Sequence, residues 1–296
     1  DEVAGKPAID YFEDKISDPM VASKMRRCCN VPTEAILFNI DSKGGHWKEG
    51  DTLRTALLRA FERVFFEHLG FFGEDLKLAR LERHIDSKGK TQEFRAAYER
   101  ISGGNWLEDR ESYSYFEDDI VEVLQEVLGM SEQTARHWFD GSEDDAIASD
   151  AFVNMVKHYV DKRAAECGGE FRLLFMVDEV GQFIGSDAGV SKDLMLSLQT
   201  LVEGLGNRCG GRVWVMVTSQ EAIDGNAMFV GSDFSTIQGR FNTRLSLSSS
   251  SVDEVIQRRV LQKNNSGVAK LEQGYEAQSA VLKNIFAFDG SRSDLI

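Results

Sequence analysis

Two segments of the chain are near-continuous apolar runs, FRLLFMV at 171–177 and RVWVMVT at 212–218, and a third, EAILFNI at 34–40, is mostly apolar. Turn formers bound all three. Pro32 precedes the first in chain order and DSKGG follows it, Gly168-Gly169 precedes the second, and Gly210-Gly211 precedes the third. Short apolar runs that do not alternate are the signature of strands buried on both faces of a parallel sheet. A shorter segment, RLSLS at 244–248, alternates and predicts one more strand.

Helical patterns fill the gaps. The segment 51–69 sets Leu53, Leu57, Phe61, Val64 and Phe65 on one side, and 118–129 and 150–164 read similarly. The segment 191–206 is apolar nearly all round, with Gly206 as its expected stop. It lies between the two strongest strands and predicts a strand–helix–strand unit with a right-handed crossover. Residues 51–165 contain no convincing strand and predict a large helical insertion. The last part, SVDEVIQRRVLQKN and GYEAQSAVLKNIFAF, holds two helical patterns, with Ser251 or a neighbour as a cap for the first. The expected class is α/β with a parallel sheet. The expected divisions are 1–50 and 166–250 as one α/β core, 51–165 as the insertion and 251–296 as the start of a helical lid.

Composition narrows the options. With 296 residues, 42% of them hydrophobic, the chain can bury a large core. Its formal charge of −15 disfavours sequence-independent binding of a polyanion, so DNA contact is expected only indirectly or elsewhere in a longer parent protein. Four cysteines without a CxxC pair fit free thiols in a reducing cytosol, and the five histidines form no metal-ligand spacing. No apolar stretch has the roughly 20 residues that span a bilayer. The aromatic residues Trp106, Tyr113, Tyr115, Phe116, Trp138 and Phe139 are expected mostly in a core, with a partner surface as the alternative.

The second strand delivers two adjacent acids, Asp178 and Glu179, at its tip. In P-loop nucleotide hydrolases such a pair has two uses. The aspartate reaches a magnesium ion through its water shell, and the glutamate polarises the attacking water. Successive side chains of an extended chain point in opposite directions, which suits two roles. The competing explanation is that both acids merely cap a turn. The following strand ends on Thr218, Ser219 and Gln220, where AAA+-type ATPases carry a polar residue that helps to place the water; a plain strand end is the alternative. Arg240 and Arg244 then stand where such ATPases place an arginine finger for a neighbouring subunit, a role that suits a planar, permanently charged guanidinium. Otherwise they pair with surface acids.

The phosphate half of such a site is missing. No GxxxxGK[ST] occurs, and VAGKPA at 3–8 lacks both the earlier glycine and the following hydroxyl. In P-loop folds that loop follows the first strand, so 34–40 is expected to be the second strand. The first would then lie upstream of Asp1, in a longer protein.

Taken together, ILFNIDSKGG, LLFMVDEVGQFIG, DLMLSLQTLVEGLG, VWVMVTSQEAID and IQGRFNTRLSLSSSSVDEVIQRR resemble the BREX phage-resistance P-loop ATPases, the BrxC/PglY family. The resemblance implies an AAA+-like domain of a bacterial cytoplasmic protein that works with other BREX subunits, as an oligomer, on ATP and Mg²⁺. It puts the acidic pair on Asp178 and Glu179, the sensor on Ser219 or Thr218, and the finger on Arg240 or Arg244. It assigns no role to Gln182. A non-hydrolytic, nucleotide-gated scaffold of the same complex and another AAA+ ATPase with a helical insertion stay open as alternatives.

Overall fold

The computed structural model describes residues 2–3, 5–13, 16, 18–40, 53–139, 148–180, 188–218, 243, 245, 256, 261 and 263–287. The chain divides into two compact units, Asp1–Asn242 and Thr243–Ile296.

The first unit opens with a small antiparallel pair, β1 (Glu2–Val3) and β2 (Lys6–Pro7), followed by α1 (Ala8–Glu13) and α2 (Pro19–Cys29). Asp18 starts α2 by accepting from the backbone N–H of Met20 at 2.8 Å and of Val21 at 3.3 Å, and Pro19 fills the first helical position. The central sheet has three parallel strands in the order β3 (Thr33–Asn39), β4 (Arg172–Asp178), β5 (Val213–Val217). These are the three apolar runs of the sequence, shifted by one residue at most ends. The 244–248 strand and the Ser251 cap fall outside the described residues.

Between β3 and β4 come α3 (Leu53–His68), α4 (Leu76–Ser87), α5 (Thr91–Ser102), α6 (Trp106–Asp109), a 3₁₀ turn (Arg110–Tyr115), α7 (Glu117–Leu128), α8 (Glu132–Arg136) and α9 (Ser149–Glu166). α10 (Ala188–Arg208) joins β4 to β5. It runs through Gly206. The chain turns instead at Gly210-Gly211, whose φ of 62° and 75° suit residues without a Cβ, as Gly168-Gly169 do before β4.

The helices between β3 and β4 contribute to two cores. α3 and α9 pack on the sheet and close its core. Phe61 lies 5.3 Å, centroid to centroid, from both Phe38 and Phe175, and Phe65 lies 5.9 Å from Phe152. Gly204 on α10 meets α9 so closely that a Cβ there would stand 3.1 Å from Val153. A second core forms between α4 and α8 around Leu81, Tyr98, Trp106, Ile120 and Leu124. Of the six aromatic residues singled out in the sequence, Trp106 is buried in it and Tyr113, Phe116, Trp138 and Phe139 pack against it. Tyr115 is exposed.

One face of the sheet differs from the sequence expectation. Ile36, Phe38, Leu173, Phe175, Val177 and Val213 are buried under the helices. The opposite face carries two cross-strand rows, Ala35–Leu174–Trp214 and Leu37–Met176–Met216. There Leu37 is 72% exposed, Trp214 48% and Met216 47%. The described helices that cross between the strands, α3, α9 and α10, pack on the other side.

At the amino end of β3, Glu34 ties the sheet to its helices. Its carboxylate accepts from Tyr159 Oη at 2.5 Å and from Arg163 Nη2 at 2.8 Å, and meets His68 Nε2 at 2.7 Å. Burial pushes this carboxyl up, but the hydrogen bonds from Tyr159, His68 and Arg163 outweigh it and hold it below its ordinary value. A carboxylate depressed on folding contributes stability above its unfolded pKa of about 4.3, and that contribution fades as pH falls through the lower folded value. Glu34→Gln is therefore expected to lower the melting temperature at pH 7, with the gap to wild type closing below about pH 4. Paired thermal melts across that range measure it.

The second unit contains α11 (Asn265–Ala287), whose first turn is capped by Asn264, with Oδ1 accepting from Gly267 N–H at 2.8 Å. It falls within the segment expected as the start of a helical lid.

Candidate functional site

The carboxyl ends of β3, β4 and β5 bring four polar residues together. The parallel register sets Asn39 beside Asp178, and Thr218 directly follows Val217, the partner of Val177. Ligands of open α/β sheets bind at this edge because the strand ends present side chains and backbone groups on a rigid platform.

Thr218 joins the two acids. Its hydroxyl donates to Asp178 Oδ1 and accepts from the backbone N–H of Glu179 at 3.2 Å. Its backbone is held as well, since Thr218 N–H donates to Val177 O at 3.0 Å and Val180 N–H donates to Thr218 O at 3.1 Å. A hydroxyl with one donor and two lone pairs is well suited to this bridge. It fixes the Asp178 carboxylate against the neighbouring strand.

Glu179 does not continue the strand. Its φ of 58° is the single left-handed value among the described non-glycine residues. The two acids are therefore separated by a backbone reversal, and not by the alternation of an extended chain. Such a conformation costs a non-glycine residue of order 1 kcal/mol and persists where surrounding bonds fix it. Here those bonds are the four that Thr218 makes with Val177, Asp178, Glu179 and Val180. The turned glutamate carboxylate accepts from Asn39 Nδ2 at 3.3 Å.

Asn39 is the member of this group that the sequence motifs do not single out. Its only linear signal is its place near the end of an apolar strand. Ser219, Arg240, Arg244 and Gln182 lie outside the described residues. The structure thus brings together Asp178, Glu179 and Thr218 and adds Asn39.

Asp178 and Glu179 are hard oxygen donors, and Mg²⁺ is commonly held by one or two carboxylates with its remaining positions taken by water and phosphate. The donor set at the strand tips fits that requirement. Among the described residues no group of three or more His, Cys, Asp or Glu is arranged to hold a metal ion, so an all-protein metal cage of the zinc or calcium kind is not seen there. Among them, too, no helix is long and apolar enough to cross a membrane. No family model matches the chain, and no solved structure matches it.

Proposed function

We propose that this chain carries the magnesium and water-activating side of a P-loop ATPase site of the AAA+ type, in a protein similar to the BREX phage-resistance ATPases. The observation that carries it is the bridge at the strand tips, where a hydroxyl from the strand after the acids bonds to Asp178 Oδ1 and to Glu179 N–H. Turn-capping acids have no need of a partner from the next strand.

In this account Asp178 orients the water shell of Mg²⁺, which neutralises charge on the phosphates when bound. Glu179 accepts a proton from, and orients, the attacking water. Thr218 holds Asp178 in place, with Ser219 beside it as the second candidate sensor. Asn39 holds the Glu179 carboxylate beside the site. Arg240 or Arg244 is the proposed finger, which ties activity to an oligomer of the protein. The proposed setting is the bacterial cytoplasm, with other BREX subunits as partners, ATP and Mg²⁺ as ligands, and DNA contacted only indirectly.

Thr218→Val is the test that separates this account from a plain strand end. It removes the bridge but keeps the shape and the β-branch. Groups that orient a metal's ligands typically change its affinity about 10- to 100-fold when removed. Titration of Mg²⁺ and ATP into the intact protein is expected to show a loss of that size, with an unchanged melting temperature and recovery in Thr218→Ser. Equal binding in Thr218→Val and wild type would count against the assignment.

A further inference from the structure

Where α3 turns into α4 the surface folds into a cleft of about 370 Å³, walled by Glu67 near the end of α3, the loop at residues 70–74 and Arg110 of the 3₁₀ turn. We propose that this cleft is a binding site for a small zwitterion, an α-amino acid with an apolar side chain.

The walls are built to keep their shape. Gly73 lies so close on α3 that a Cβ there would stand 2.5 Å from Arg63 O. Arg63 holds the same loop by donating through Nη2 to Glu74 O at 2.9 Å. Behind the loop, the buried Glu82 of α4 accepts from Phe72 N–H at 2.6 Å, from Trp106 Nε1 at 2.7 Å and from Arg110 Nη1 at 3.4 Å. One carboxylate thus fastens the loop, α6 and the 3₁₀ turn together. Side chains fixed by such supporting bonds lose little freedom when a ligand arrives.

Arg110 is held in place with donors to spare. Its Nη1 makes two long bonds, to Glu82 and to Gly70 O at 3.3 Å, and its guanidinium carbon lies 5.5 Å from the centroid of the Phe72 ring. Among the described residues its Nε and Nη2 make no hydrogen bond. An arginine serving only to neutralise a buried acid meets it with both arms of the fork, as Arg80 meets Glu62 twice at 3.0 Å. Arg110 does not, and a guanidinium in that state can pair with an incoming carboxylate through two bonds.

The charges select the ligand. Arg110 is the cation of the cleft, and Glu67 and Glu74 are its acids, with Arg63 Nη1 3.8 Å from Glu74. The two acids repel an inorganic phosphate or a plain carboxylate, and Arg110 repels a plain amine. A molecule carrying both charges answers both walls, while Phe71 and Phe72 offer it apolar surface. Small-molecule pockets run from about 300 to 1,000 Å³, so this cleft suits an amino acid better than a nucleotide. It is also remote from the strand tips. His68, next to Glu67, meets Glu34 near the amino end of β3, whereas Asn39 closes the carboxyl end of that strand. The proposal therefore stands independently of the ATPase reading.

Ligand-observed NMR titration of the intact chain with L-leucine and L-phenylalanine tests it. N-acetyl-L-leucine lacks the ammonium and isopentylamine lacks the carboxylate. Each is expected to bind at least about tenfold more weakly than leucine, the usual size of a charged hydrogen bond. Arg110→Lys keeps a cation beside Glu82 but loses the fork, and it is expected to weaken leucine binding by at least about tenfold as well. Glu67→Gln with Glu74→Gln is expected to remove the gap between leucine and N-acetyl-L-leucine. Thermal melts check that both variants are folded. No saturable binding of either amino acid below about 10 mM, or equal affinity in wild type and Arg110→Lys, would overturn the proposal. Isopentylamine binding as tightly as leucine would make the cleft a cation site and overturn it too.

Discussion

Replacing Glu179 by Gln is expected to lower ATP turnover by about 10²- to 10⁴-fold, the usual contribution of a positioned general base, while leaving ATP binding within a few-fold of wild type. Glutamine keeps the size of the side chain and can still meet Asn39, but it cannot take a proton. Asp178→Asn should behave differently, because it weakens the carboxylate proposed to orient the metal's water shell and would therefore affect Mg²⁺ dependence as well as turnover. Steady-state hydrolysis and direct ATP titration on the same samples separate the two. A Glu179→Gln protein that turns over ATP like wild type would remove the base from Glu179. A protein that keeps its biological role with Glu179→Gln while hydrolysis is lost would favour the nucleotide-gated scaffold.

The largest expected loss of stability lies away from the strand tips. Glu62 on α3 is fully buried, and Arg80 on α4 donates to it through Nε and Nη2, each at 3.0 Å. This is the ionic tie between the helix that closes the sheet core and the helix that shares both cores. Arg80→Ala leaves the carboxylate buried without its bidentate partner, which typically costs about 3–5 kcal/mol. Replacing both residues together, Glu62→Leu with Arg80→Met, is expected to recover most of that loss or exceed wild type, because two desolvated charges disappear at once. Denaturant midpoints of the three proteins measure it. A loss under about 1 kcal/mol in Arg80→Ala would show that Arg83, whose guanidinium feels the Glu62 charge, takes over as the counter-ion.

The three strands were legible because each apolar run is closed by residues with strong turn preferences. Gly168-Gly169 and Gly210-Gly211 mark the starts of β4 and β5 so clearly that the structure moved each boundary by a single residue. The partition of the helical section was not legible. Periodicity shows which side of a helix is apolar, but not which core that side meets. On α4, Leu76 and Ala79 enter the sheet core, and Leu78, Leu81 and Ile85 enter the second one. Gly206 likewise looked like a stop, but a glycine inside a helix with open space around it is tolerated, and the turn waited for the paired glycines.

At the site, the adjacency of Asp178 and Glu179 and the polar end of the next strand were visible in the linear order. Their connection through the Thr218 hydroxyl was not, because it depends on the register of β4 against β5. Asn39 was missed for the same reason. A lone asparagine at a strand end has no spacing to mark it, and it gains meaning only when register sets it beside Asp178 and the reversed backbone of Glu179 turns a carboxylate toward it. The positive φ of Glu179 is itself a tertiary outcome, since nothing local in VDEVG calls for a left-handed glutamate.

The most direct test of the central claim is to read the coding sequence upstream of Asp1 through roughly 50 codons, about the length that one strand, a phosphate loop and its helix occupy. A strand followed by GxxxxGK[ST] is the predicted result, and it would place a triphosphate cradle in front of Asp178, Glu179 and Thr218. A start codon with no such loop would contradict the ATPase account and leave the strand-tip bridge as a structural feature.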